Sequence, residues 1–354
     1  MFLVDPGTRR LVPASDRVVH RDDGEDEIDQ ELFLQQVEIQ SAAHRSMPDV
    51  IDDLRRARRT AASAAESVGA RLAAMPTPVL ADQDGVVTAK ARYERMMSRF
   101  GAVGRNALVC GMHVHVDIVD DKEGVAVLDR LRPWLPIVLA LSANSPYDLG
   151  VDTSFASWRS QLWEAWPTAG AVEPFGDAAG YHRAVDSMVA SGAAIDEAMI
   201  YFDARLSRSF PTVEVRVADV CTDLPDAAVI AAIVRALVES CAMAWRDDQP
   251  VDPWRVDLLR AARWRARQDG LNDSLVHPLT RQLVPCDEAV DALAGFIGPA
   301  LDGSGDTTLV EDGLSRLLRH GNGATHQRRV AGPRLDLTSV VDDVLERTHA
   351  SFSD

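Results

Sequence analysis

Apolar and polar positions alternate most cleanly between residues 108 and 118. Leu108, Cys110, Met112, Val114, Val116 and Ile118 are apolar, while Gly111, His113, His115 and Asp117 occupy the opposite set. A period of two marks a strand whose faces differ, so the pattern predicts a strand over residues 107–119 with two imidazoles and a carboxylate on one side. A second stretch, "TVEVRVAD", repeats the arrangement: Val213, Val215 and Val217 point one way, and Thr212, Glu214 and Arg216 the other. Polar rows of this kind are also what a solvated sheet face looks like, and Glu beside Arg is equally a cross-strand ion pair. Alternation alone leaves their role open.

Elsewhere the pattern is helical. From Ser46 the chain reads as its clearest long helix: Ser46 suits the N-cap, Pro48 the first turn, and Asp49, Asp52 and Asp53 the positive helix end. Further helices are predicted in "KARYERMMSRFG", closed by Gly101, through "VLDRLRPWLPIVLALSAN", and near His182 to Ala190. Others follow in "DAAVIAAIVRALVESCAMAW" and "RAARWRARQDG", and near residues 287–301 and 338–348. "MFLVD" reads as a strand that turns at Pro6-Gly7, and "RDDGEDEIDQE" as an exposed acidic stretch. In "ELFLQQVEIQ" a helix would put Glu31, Gln35 and Glu38 on one face, whereas a strand from Val37 would still leave Glu38 pointing where Glu31 does. Few strands among irregularly placed helices argue for an α+β fold, and the absence of repeats or a low-complexity linker for one domain over residues 1–354.

Composition narrows the function. With 46% hydrophobic and 26% charged residues the chain is an ordinary globular protein. Lys+Arg 37 against Asp+Glu 54 leaves a formal net charge of −17, which repels phosphate backbones and anionic lipid, so neither nucleic acid nor membrane is an expected partner. "WLPIVLALSA" is about half of a bilayer span, and Met1 opens no signal-peptide pattern, so a cytoplasmic location is expected. Cys110, Cys221, Cys241 and Cys286 are scattered with no C-x-x-C pair, which suits reduced thiols better than disulfides or a thiolate zinc site.

Phosphate-loop, dinucleotide, serine-hydrolase and zincin motifs are all missing from the sequence. A His-x-His metallohydrolase stays open, but it needs further ligands, and His182, His277, His320, His326 and His349 fall in helical or loop contexts. Glu214 beside Arg216 also suits a hard cation next to a phosphate, because carboxylate oxygens bind Mg²⁺ and a guanidinium grips phosphate with two donors.

Six ordered blocks carry a more specific signal: "ELFLQQVEIQ", "CGMHVHVDI", "SFASWRSQLWEAWPTAG", "YFDARLSRSFPTVEVRVADVCT", "RAARWRARQDGL" and "HGNGATHQRR". Together they resemble the glutamate–cysteine ligase type 2 family of carboxylate–amine ligases over nearly the whole chain. The resemblance implies a glutamine-synthetase-like fold, a largely antiparallel sheet with helices packed on one side and the active site on the open sheet face. It implies ATP-dependent joining of a carboxylate, typically the γ-carboxylate of glutamate, to an amine such as that of cysteine, through an acyl phosphate. Positive charge from Mg²⁺ (or Mn²⁺) and arginine, not a protein nucleophile, is what such phosphoryl transfer needs. Carried over by position, it makes Glu38, Glu214 and Glu31 metal-ligand candidates, His113 a ligand or phosphate contact, and Arg216 the stabiliser of the transferred phosphoryl group. His115 would face substrate or metal, Arg159 the substrate carboxylate, and Arg263 and Arg328 the nucleotide. Arg260, Arg263 and Arg267 are also a plain solvated helix stripe, and "HGNGATHQRR" a flexible loop. A homodimer is implied by the same likeness. A non-catalytic member that binds nucleotide or amino acid is the alternative.

One departure stands out. The family normally opens with an acidic strand, G-x-E-x-E-F, whereas this chain begins "MFLVDP", so Phe2 falls on the family's Phe and the glutamates would precede Met1. A start placed too late, or a crippled metal site, are the two explanations, and the first is preferred here. The expectation is weak or absent turnover for the 354-residue chain, regained on upstream extension.

Overall fold

The computed structural model describes residues 1–20, 28–80 and 85–353. Most of the acidic stretch, residues 21–27, lies outside the described residues. Four short strands come first: β1 (Phe2–Val4), β2 (Ile28–Gln30), β3 (Val37–Ile39) and β4 (Arg71–Ala73). β1 pairs antiparallel with β4, β2 with β3, and a bridge from Phe2 to Gln36 joins the two pairs. "ELFLQQVEIQ" is therefore not a helix. Glu31 follows β2, Glu38 lies in β3, and Asp29 sits directly opposite Glu38.

The sheet that carries the polar rows comes later: β5 (Val114–Asp117), β6 (Ala204–Leu206) and β7 (Thr212–Val215), antiparallel in the order β5-β7-β6. His115 pairs with Glu214 on β7, and Glu214 with Arg205 on β6. β5 is shorter than the alternation predicts because its regular ladder stops at Val114; upstream, only an isolated bridge from Gly111 to Asp219 continues the pairing.

The helices form where caps and periodicity put them. Ser46 caps Met47–Ser67 by accepting from the Asp49 amide, and Gly101, at φ 54°, closes Ala91–Phe100. "VLDRLRPWLPIVLALSAN" divides into Asp121–Leu131 and Leu135–Ser142, with Pro136 in the first turn of the second, where no amide donor is needed. Helices Asp121–Leu131 and Leu224–Arg246 pack on the three-stranded sheet, where Val213 and Val215 are wholly buried. Leu224–Arg246 is long and apolar enough to cross a membrane by length and composition alone, and most of it is buried inside the protein. Its Ile233, Val234, Leu237 and Cys241 are fully buried within the main hydrophobic cluster, which runs from Phe2 to Leu345. An all-round apolar helix is what the centre of a large core requires.

Candidate active site

Glu214 is the hub of the polar face. Its side chain is 4% exposed, and a buried carboxylate must be paired to stay ionised. Arg205 Nε donates to Oε2 at 2.7 Å and the Arg216 guanidinium bonds Oε1. Burial by itself would raise the Glu214 carboxyl, but Arg216 and Arg205 outweigh it and hold the group below its ordinary range. Arg216 also lies 5.9 Å from the centroid of the Tyr201 ring, a cation–π distance. Arg205 escaped the motif reading; the signal was available, because Ala204 and Leu206 flank it in strand alternation and place it beside Glu214 once the register is known.

The two histidines stand along the same row. His113 Nδ1 is 3.4 Å from Arg216 Nη1 and 3.5 Å from Glu214 Oε1. Nδ1 thus stands between a guanidinium that can only donate and a carboxylate that can only accept, and the ring's tautomer sets which of the two it meets. Burial, then the charges of Arg216, Arg159 and Arg205 and of His115, push the His113 pKa well below the usual histidine value, which leaves a neutral ring at pH 7. His115 is lowered mainly by burial, with Glu214 opposing; its Nδ1 meets Thr212 Oγ1 at 2.9 Å and its Nε2 lies 3.9 Å from Glu214. Phe210, largely exposed, meets the His115 ring edge-on at 6.1 Å between centroids.

A second acidic set lies on the hairpin β2/β3. The Glu38 carboxyl is pushed up to about 7, first by the surrounding protein, then by repulsion from Glu31, with the chain amino group opposing and Asp29 adding to it. The Met1 amino group itself donates to the Val37 carbonyl at 2.7 Å. Desolvation and the charge of Glu31 outweigh the chain amino group and Arg216 at Glu38, and Glu31 and Glu38 offer the carboxylate oxygens and negative charge that a divalent metal takes. Glu214 already shares its charge with an arginine on each oxygen, so a metal there would compete with Arg205 and Arg216. Among the described residues no three His, Cys, Asp or Glu side chains are grouped as a metal ion needs, neither around His113 and His115 as a zinc site would require nor as the expected set of Glu31, Glu38, Glu214 and His113.

The sign of the Glu38 shift gives a test. A raised folded-state pKa means the folded chain holds a proton that the unfolded chain has released, so stability falls as pH rises from about 4.5 towards about 7. Glu38→Gln should therefore melt with the wild type below that window and above it at higher pH, as thermal melts across pH 4–8 would record.

Three predicted site residues lie elsewhere than expected. Arg159, read as a substrate contact, is 3% exposed, and its guanidinium is taken up by the carbonyls of Arg216 and Val217. Arg263 and Arg267 form no solvated stripe: both are buried, Arg263 on Asp203 at 2.8 Å and near Glu164, and Arg267 on Glu164. Arg260 alone of the three is exposed. "HGNGATHQRR" is not a flexible loop; Asn322 caps the helix Gly323–Ala331, and Arg328 binds Asp152 at 3.0 Å and the Phe155 carbonyl at 2.9 Å. Periodicity assigned these arginines a face but could not see the distant acids and carbonyls that bury them.

Open antiparallel sheets with helices packed on one face match the fold of glutamine-synthetase-like ligases. The solved glutamate–cysteine ligase from Francisella tularensis in complex with AMP shares the fold, with TM-score 0.67 at 14% identity over 93% of this chain and 82% of that one. The Pup ligase PafA in complex with ADP is more distant, with TM-score 0.50 at 12% identity over 94% of this chain and 72% of that one. The chain belongs to the glutamate-cysteine ligase family 2, which matches residues 1–336. It is 46% identical to a Nocardioides sp. protein provisionally named glutamate–cysteine ligase 2-1, over 100% of this chain and 95% of the relative. A Streptomyces coelicolor relative, provisionally named glutamate–cysteine ligase 2, is 42% identical over 99% and 98%.

Proposed function

We propose that this protein is an ATP-dependent carboxylate–amine ligase that activates the γ-carboxylate of glutamate as an acyl phosphate and joins it to an amine such as that of cysteine. The observation that carries the reading is the Arg205–Glu214–Arg216 cluster flanked by His113 and His115 on one sheet face. Charge that develops on a transferring phosphoryl group is best met by donors already in place. Arg216 supplies that donor, and Glu214 fixes the direction from which it comes. His113, a neutral ring, offers one donor without adding charge, and His115 with Phe210 borders the acceptor side. Mg²⁺ or Mn²⁺, held by Glu31 and Glu38 together with nucleotide phosphates, would supply the remaining charge neutralisation. The reading includes a cytoplasmic homodimer, which sedimentation of the purified chain would test.

Phosphate release is the direct assay. It should require ATP, Mg²⁺, glutamate and an amine together, and release that ignores the carboxylate or the amine would sink the ligase. Nucleotide binding without turnover under any amino-acid pair would favour the non-catalytic alternative.

A further inference from the structure

The pairing between β5 and β7 is out of step beyond its regular ladder. Val114 faces Val215 and Gly111 faces Asp219, so three residue steps on one strand span four on the other. One extra residue on the β7 side is a β-bulge, and it falls between Arg216 and Ala218. Bulges free backbone groups from the ladder and re-aim a side chain.

Arg159 takes up what the bulge frees. Its Nη2 donates to the Arg216 carbonyl and its Nη1 to the Val217 carbonyl, each at 3.3 Å. On the other edge the Arg216 amide donates to the Asp203 carbonyl at 2.9 Å, so the backbone of Arg216 is held from both sides. The guanidinium can lie there only because residue 111 is glycine: a Cβ at Gly111 would stand 2.2 Å from Arg159 Nη2. Gly111 continues the row of His113 and His115, and the arginine fills the place its side chain would have.

Arg159 is itself braced. Asp219, wholly buried, lies 3.8 Å from Arg159 Nη1 and accepts from the Asn144 amide at 2.9 Å, Ser145 Oγ at 2.7 Å and Ser157 Oγ at 2.9 Å. The Arg159 amide returns to Ser145 Oγ at 3.0 Å. A buried ion pair is a poor way to gain stability, since apolar packing of the same volume does as well or better. A planar fork that spans two consecutive carbonyls does something apolar packing cannot.

We propose that Arg159, braced by Asp219, is a positioning residue that locks the bulge at Arg216–Ala218 and thereby aims Arg216 along the polar row. The proposal rests on the ligase reading for its consequence in turnover, but not for the bulge itself.

Arg159→Lys keeps the charge and loses the fork. Its kcat should fall about tenfold to a hundredfold, while KM for ATP and glutamate stays within about twofold, the mark of misplacement and not of lost binding. The double variant R159M/D219N removes both buried charges but leaves the Arg216 and Val217 carbonyls without their donor and the Asp219 site with fewer acceptors, so it should melt below the wild type and keep the low kcat. A double variant that regains kcat, or a folded Arg159→Lys with unchanged kcat, overturns the proposal. Should the wild type turn over no amino-acid pair even when extended upstream of Met1, the ligase reading fails, and amide exchange at residues 216–218 decides the bulge: faster exchange in folded Arg159→Lys supports it and unchanged exchange overturns it.

Discussion

Arg216→Ala should lower phosphate release by about two to three orders of magnitude, the range seen when one preorganised donor to a developing charge is removed. Arg216 is held in place before any substrate arrives: its side chain bonds Glu214, contacts His113 Nδ1 and lies over Tyr201, and its amide is tied to Asp203. No reorganisation is then needed at the moment of reaction. Arg216→Lys should recover little, because an ammonium cannot hold Glu214 and still present a second planar edge to a phosphate. Steady-state phosphate release with ATP, glutamate and an amine checks both variants, and activity within threefold of wild type in Arg216→Ala would remove this residue from the mechanism.

Glu214→Gln should cost about 3–5 kcal/mol of stability, because it leaves Arg205 and Arg216 buried without their shared counter-charge. The pH dependence separates this from a packing defect. Glu214 is depressed in the folded chain, so its contribution is fully present above the ordinary value of 4.5 and is lost as pH falls through the lower folded value. The stability gap between wild type and Glu214→Gln should accordingly narrow on acidification below about pH 4.5, whereas a gap from lost packing would not move. Urea unfolding at pH 7 and at successive acidic pH values would measure it. Glu38→Gln moves the opposite way, gaining on the wild type as pH rises, because Glu38 is raised where Glu214 is lowered.

The strands holding His115 and Glu214 were legible because side chains in a strand alternate, but the period ran on through His113 and Arg216, where the regular ladder has stopped. The long helix from Ser46 was legible because its cap and its acidic first turn are local. "ELFLQQVEIQ" was ambiguous for the opposite reason: its structure is set by pairing with Phe2 and Met1, more than thirty residues away. Helix Leu224–Arg246 gave its length away but not its depth, since an apolar stretch of that size suits a core and a bilayer alike.

The arginines mark the boundary between the two kinds of information. Spacing put Arg216 on one face with Glu214, and the family resemblance gave it a role; Arg205 joined them only when β6 was laid in register beside β7. Arg159 and Arg263 carry the same side chain and read as exposed cations until Asp219, Asp203 and two freed carbonyls are brought to them from elsewhere in the chain. Local spacing along the sequence determines which side chains share a face, because backbone geometry alone sets that period. Which charges are neutralised, which guanidinium stays free to act, and where the strand slips by one residue depend on groups distant in sequence, and only the tertiary structure decided them.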